Sequence, residues 1–334
     1  MKDKMIKVSI VSSLYNTEKY IYGLFSSLKK QEFINKNEYE IILLDDGSSD
    51  STLLSIEKYK YLLSEYNSLR IIKNSTNKGQ GVRRFEGAKI AKGIHLAFVD
   101  AKTRPNKDYF WQFEQIGHNT IIGNVYIDKN RSVWDRFNHN LRVFIYRPYY
   151  GVDFQDISLD YKQYENFKLK GGGGALWTKK EYFIRVNKSI KFHRYISDDS
   201  MIIGELSKIE PVIKSSKPMI QYLNRKGFVS NIEHTFSRGP KFVLYYFRRG
   251  SRYYAYILFL IFFLFANLLL FFLNPELIFF EFLLLFLSNT IFSVILSQDL
   301  KDFLSSFTML PLYLISFSFG ILKGLFIKFT HQGK

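Results

Sequence analysis

At 334 residues the chain has room for one large domain or two ordinary ones. It holds no cysteine, which excludes disulfides, thiolate catalysis and cysteine-ligated zinc. A formal charge of +17 suits nucleic acid, anionic lipid or a phosphorylated substrate; without a helix-turn-helix, zinc-finger or RRM signature, nucleic acid is set aside.

The opening "MKDKMIKVSIVSSLYNTEK" has only a short apolar run before polar residues and is not read as a signal peptide. Strand patterns then alternate with helical ones. Residues 7–12 read as a strand, 18–30 as a helix, 39–44 as a strand and 52–65 as a helix. A strand over 69–73, a helix over 80–92 and a buried strand over 94–100 complete the series. Within "EIILLDDGSSDST" (40–52) a short apolar run without alternation ends in two carboxylates, a glycine and hydroxyls. Such a run is a strand covered on both faces, and the acidic turn sits at its carboxyl end, where open α/β sheets bind ligands. The βαβ order predicts a mostly parallel sheet with right-handed crossovers. From 105 to about 192 the pattern is irregular.

The last third differs. After residue 253 the chain carries four acidic and four basic residues and no arginine, so the whole positive excess precedes it. Residues 254–273 contain no charged side chain and match the length of a membrane-spanning helix. Segments 277–297 and 303–329 are further apolar candidates, giving two to three transmembrane helices. "RRGSR" (248–252) precedes the first and marks the cytoplasmic side. Three crossings would then put the C-terminal lysines outside, against the charge bias; the alternative is a re-entrant or interfacial last segment. Residues 237–253 mix arginine with tyrosine and phenylalanine, as expected at the headgroup level beside anionic lipids. The expected division is thus 1–236, 237–253 and 254–330.

Five motifs stand together. "VSIVSSLYN" (8–16), "EIILLDDGSSD" (40–50), "NKGQGVRRFEGAKIAKG" (77–93), "FVDAKTRP" (98–105) and "YISDDSMIIGEL" (195–206) resemble the landmarks of a family-2 glycosyltransferase with a GT-A nucleotide-sugar-binding fold. The resemblance covers roughly residues 5–240. Ser13 and Leu14 replace the family's usual Pro and Thr, Phe85 its Asn, and Lys102 the second carboxylate of its D-x-D motif.

It implies an α/β fold with a Rossmann-like GT-A catalytic domain followed by transmembrane helices. It implies donor-binding roles for Tyr15, Asp45, Asp46, Arg84, Asp100 and Lys102. Ionised Asp only accepts hydrogen bonds and suits a base and ribose hydroxyls, while Arg84 can pair with a carboxylate or diphosphate. Asp199 is the expected base, with Asp198 orienting it or the acceptor. With Lys102 in the D-x-D motif, Mg²⁺ or Mn²⁺ would rest on Asp100, and the Lys102 ammonium offers part of the charge instead. The glycine run "LKGGGGALW" (169–177) implies close approach of the acceptor at Gly172, Gly173 and Gly174. Trp177 is read either as a sugar platform or as core. His234 and Arg238 in "EHTFSRG" are candidates for a diphosphate or lipid phosphate. "QYLNRKGF" (221–228) lacks the Trp of processive synthases.

The function implied is a membrane-bound glycosyltransferase of cell-envelope polysaccharide biosynthesis. It would move a sugar from a nucleotide-sugar donor, UDP-type, to a lipid-linked or glycan acceptor, inverting in the family's manner. Two alternatives stand beside it: a polyprenyl-phosphate sugar transferase, and an inactive nucleotide-sugar-binding scaffold subunit.

Overall fold

The computed structural model describes residues 6–330 apart from 148, 151–153, 167–172, 191–197, 226, 248–250, 252 and 274–275. Four parallel strands open it: β1 (Val8–Leu14), β2 (Tyr39–Asp46), β3 (Ser68–Asn74) and β4 (His95–Phe98), aligned in the order β3-β2-β1-β4. The helices between them are α1 (Glu18–Lys29), α2 (Thr52–Tyr59) and α3 (Gln80–Ile90). All eight residues of β2 are buried, as a strand covered on both faces requires. α1 buries Ile21, Leu24, Phe25 and Leu28, the i, i+3, i+4, i+7 stripe of a helix lying on a sheet.

After β4 the chain runs through β5 (Thr103–Pro105), α4 (Tyr109–Ile116), β6 (Thr120–Tyr126), α5 (Val133–Tyr146), β7 (Ile157–Leu159) and α6 (Tyr161–Asn166). It continues through β8 (Leu176–Lys179), α7 (Lys180–Ser189), α8 (Asp198–Leu206) and β9 (Val212–Tyr222). The sheet continues β4-β8-β6-β9-β5, with β7 on β9. The expected parallel arrangement is met in β3-β2-β1-β4, and antiparallel pairs are added beyond β4. β4–β8, β6–β8, β5–β9 and β7–β9 pair antiparallel, and only β6–β9 is parallel. One core, with Leu24, Phe25, Tyr109 and Trp177, lies on the α1 face. A second, with Leu44, Phe98, Phe183 and Ile203, lies on the α3 face.

Contacts divide the chain into two units, one of residues 1–127, 145–194 and 198–223, the other built on 128–144 and 224–334. The expected boundary at 236 therefore falls inside a helix, α9 (Phe228–Tyr246), which belongs with the C-terminal helices. These are α10 (Tyr254–Leu273), α11 (Glu276–Ile295) and α12 (Leu300–Thr330). Among the described residues α12 alone is long and apolar enough, by length and composition, to cross a membrane.

Within the second unit α12 has two faces. Its inner face carries Asp302, Ser305, Ser306, Ser316, Gly320 and Gly324, all buried. α9 packs here so closely that a Cβ on Gly320 would overlap the Phe236 carbonyl oxygen, and one on Gly324 would stand 2.7 Å from Pro240 Cα. Ser316 Oγ donates to Ile232 O at 2.8 Å, and Ser305 Oγ to Val133 O at 2.7 Å. Fully buried Asp302 accepts from Arg136 Nη1 at 2.8 Å and pairs with Lys129 Nζ at 3.3 Å. The outer face of α12 is apolar and open, with Phe319 60% and Phe326 69% exposed. Phe262 on α10 and Phe279 on α11 are likewise open. Exposed apolar surface on this scale marks a face that meets lipid or another protein.

Candidate active site

Two loops leave the carboxyl ends of β1 and β2 and are tied to each other. Asn16 adopts a left-handed conformation, φ 49°, and its Oδ1 accepts from Ser49 N at 2.9 Å. Thr17 N donates to Thr52 Oγ1 at 2.8 Å, and Ser48 N to Asp45 Oδ2 at 3.2 Å. What remains is a buried polar floor: Ser12 Oγ, Thr17 Oγ1 and Asp45 Oδ1 have no partner. Buried polar atoms are normally satisfied, and an orphan carboxylate oxygen at a strand end is an acceptor waiting for a donor. Tyr15 stands beside this floor, 47% exposed.

Asp46 points to the opposite face and is fully engaged. It accepts from Lys78 N and Gly79 N at 2.9 Å each and from Arg83 Nε at 2.6 Å. Arg83, 1% exposed, also donates to Thr76 O and Glu86. Expected as a donor-binding residue, Asp46 holds the loop before α3 through both oxygens, two donors on Oδ1 and one on Oδ2. The sequence reading missed Arg83, whose only signal was its place in an adjacent arginine pair with Glu86 three residues on.

Arg84 organises the centre of the site. Only 3% exposed, it donates through Nη2 to Asp100 Oδ1 at 2.9 Å and through Nη1 to Asp199 Oδ1 at 2.5 Å. Gln80, one turn earlier on α3, donates to the same Asp100 oxygen at 2.5 Å. Residues 115 apart in the chain are thereby brought to one point, and both carboxylates stay about 30% open. Asp198 opens α8 beside Asp199. Asp45 lies at the same edge of the sheet, two strands from β4, roughly 10 Å by strand spacing. Beneath Asp100, burial and then the Asp100 charge push the Tyr109 phenol well above its usual value; its hydroxyl has no partner.

Gly174 closes the site from below. A Cβ there would stand 2.5 Å from Asp100 Oδ2, so the run is glycine here because a carboxylate lies against the backbone. Gly173 shares its turn, while Gly172 lies outside the described residues. Lys102 holds its ammonium 5.2 Å above the Tyr20 ring. Trp177 is a core residue, not a sugar platform: 3% exposed, it is stacked between His95 and Phe113, each 5.2 Å away. His234 and Arg238 fall on α9 in the second unit.

Among the described residues no group of three or more His, Asp or Glu forms a metal cage. Among the described residues Asp100 Oδ2 nevertheless accepts no hydrogen bond, both donors reaching Oδ1. A single carboxylate oxygen fits a divalent ion that takes its other ligands from phosphate and water.

Residues 9–170, which hold this floor, Arg84 and Asp100, match the family described as Glycosyl transferase family 2. Over 105 residues the chain is 40% identical to the poly(ribitol-phosphate) beta-N-acetylglucosaminyltransferase TarS of Staphylococcus aureus (strain Mu50 / ATCC 700699), covering 31% of this chain and 18% of that protein. It is 33% identical over 129 residues to the UDP-Glc:alpha-D-GlcNAc-diphosphoundecaprenol beta-1,3-glucosyltransferase WfaP of Escherichia coli, covering 37% of this chain and 47% of that one. The sequence match thus spans less than a fifth of the TarS length.

Among solved structures, S. aureus TarS 1-349 in complex with UDP-GlcNAc has a TM-score of 0.51 at 19% identity, covering 71% of this chain and 66% of that chain. The mannosyltransferase PcManGT from Pyrobaculum calidifontis, in complex with GDP-Man and Mn2+, reaches 0.52 at 11% identity, covering 71% and 62%. At these identities the likeness is one of fold.

Proposed function

We propose that this chain is a membrane-bound glycosyltransferase that moves a sugar from a nucleotide-sugar donor, of the UDP type, to a lipid-linked acceptor of the cell envelope. The observation that carries the reading is Arg84, which holds Asp100 and Asp199 together at 2.9 and 2.5 Å beside the open floor of Asp45. Asp45 Oδ1 accepts from the base, and Arg84 and Lys102 balance charge on the departing diphosphate. A divalent ion at Asp100 Oδ2 would add to that charge balance. Asp199 removes the acceptor hydroxyl proton in one in-line, inverting step. The names of the relatives support donor and acceptor: TarS binds UDP-GlcNAc, and WfaP acts on a diphosphoundecaprenol.

The polyprenyl-phosphate reading keeps one point in its favour. Asp199 is ion-paired to Arg84, and a phosphate acceptor, already anionic, needs no base.

Membrane attachment rests on the second unit. α10 and α11 are proposed to cross as a hairpin that begins and ends on the cytoplasmic side, with the basic 248–252 before it. α12 is proposed to lie in the interface. α9 covers its inner face from Ile232 to Phe247 and exposes Glu233 and Lys241. If α12 crossed, those charges would enter hydrocarbon at about 2.5–3.5 kcal/mol each. An interfacial α12 returns the C-terminal lysines to the cytoplasmic side.

The test is transfer of label from a panel of radiolabelled nucleotide sugars in membranes holding the protein. Label entering the solvent-extractable lipid with one donor is the expected result; donor hydrolysis alone, or binding without turnover, contradicts it.

A further inference from the structure

A cavity of about 460 Å³ lies wholly within the second unit, where the first turns of α5 and α9 converge. Arg131 and Arg225 line it, as do Ser132, Val133 and Trp134 at the start of α5 and Gly227 and Phe228 at the start of α9. Helix starts present unsatisfied N–H groups and a positive dipole end. α9 gains no side-chain cap from Gly227. Two further donors are unspent: the indole Nε1 of Trp134, itself 7% exposed, and Arg225 Nε are both buried without an acceptor.

The one carboxylate in the lining is already satisfied. Asp135 accepts from Asn224 Nδ2 at 2.7 Å and from Ser132 Oγ at 2.8 Å, and Arg131 stands 4.0 Å from it. Two guanidiniums against one carboxylate leave the cavity cationic. Its rim is apolar: Val133 and Phe228 are each 52% exposed, and Met309 of α12 completes the wall.

We propose that this cavity binds the phosphate of an anionic membrane phospholipid, with the headgroup on the two helix starts and the acyl chains leaving over Val133, Phe228 and α12. Two guanidiniums beside two helix starts favour an anion, and the apolar rim favours one that carries a tail. The lipid source rests on the membrane reading above; phosphate binding does not. The site uses none of the residues placed in sugar transfer.

Native mass spectrometry of the full chain in detergent, with phosphatidic acid, phosphatidylcholine or inorganic phosphate, tests it. Phosphatidic acid is expected to be retained at least ~10-fold over phosphatidylcholine. The Arg131→Gln/Arg225→Gln double variant should lose that preference while keeping its Tm. Trp134→Phe, which keeps the ring and removes the N–H, should weaken retention several-fold. Equal retention of both lipids, or full retention by the double variant, overturns the proposal. Inorganic phosphate binding as tightly as phosphatidic acid overturns the lipid source. A protein that stays monomeric without detergent would overturn the membrane reading while leaving the phosphate arm to be read.

Discussion

Gly174 and Asp100 meet so closely that a β-carbon on residue 174 would stand 2.5 Å from Asp100 Oδ2. The oxygen so approached is the one that takes no hydrogen bond from Gln80 or Arg84. Gly174→Ala should therefore move the carboxylate without unfolding the sheet. A displacement near 1 Å at a reacting centre costs about 100-fold in rate, and transfer by the variant is expected to fall by 10- to 100-fold at that same rule of thumb. A thermal melt checks that the fold survives; an alanine variant with the wild-type rate would refute the contact's importance.

Asp46 and Arg83, 2% and 1% exposed and 2.6 Å apart, form a buried pair. Removing one partner of such a pair leaves an uncompensated charge and costs about 3–5 kcal/mol. Asp46→Ala is expected to lower the melting temperature by several degrees, more than Asp45→Ala, because among the described residues the Asp45 carboxylate accepts only from Ser48 N at 3.2 Å and pairs with no cation. Equal melting temperatures for the two variants would show that Asp46 is not the loop anchor.

A divalent ion at Asp100 is part of the proposal and can be tested directly. With one carboxylate oxygen on offer and Lys102 nearby in sequence, EDTA should lower transfer and Mg²⁺ or Mn²⁺ should restore it. Lys102→Ala is expected to steepen the loss. Undiminished turnover by the alanine variant in EDTA would dispose of both contributions.

The absence of cysteine makes the membrane arrangement easy to read by labelling. Asn274→Cys, between α10 and α11, should react with an impermeant maleimide from outside intact cells. Gln298→Cys and Gln332→Cys should react only after permeabilisation. Outside labelling at 332 with none at 298 would mean that α12 crosses.

Much of the first half of the fold is legible in the sequence. β1 to β3, α1 and α3 fall within about two residues of their expected bounds, because each is a periodic segment joined by local crossovers, while α2 ends at Tyr59 rather than 65 and β4 shrinks to His95–Phe98. β5, β7 and β8 have three or four residues each and pair with strands far away in the chain, so no local period marks them. The same limit divides the site. Arg84, Asp100 and Asp199 belong to quotable motifs and are brought together. That Arg83 rather than Arg84 serves Asp46, or that Trp177 is sandwiched by His95, depends on which way a helix or strand faces. The two faces of α12 were hidden for another reason: its serines and glycines look like ordinary interruptions until α9 is seen lying on them.

The claim on which the account turns is that Asp199, held by Arg84, takes the acceptor proton. Initial rates of sugar transfer by Asp199→Asn, measured beside calorimetric affinity for the donor, address it most directly. Loss of a general base lowers rate by about 10²–10⁴, so transfer should fall by that order while donor affinity changes little. Transfer at the wild-type rate would contradict the account and leave an acceptor that brings its own anionic oxygen.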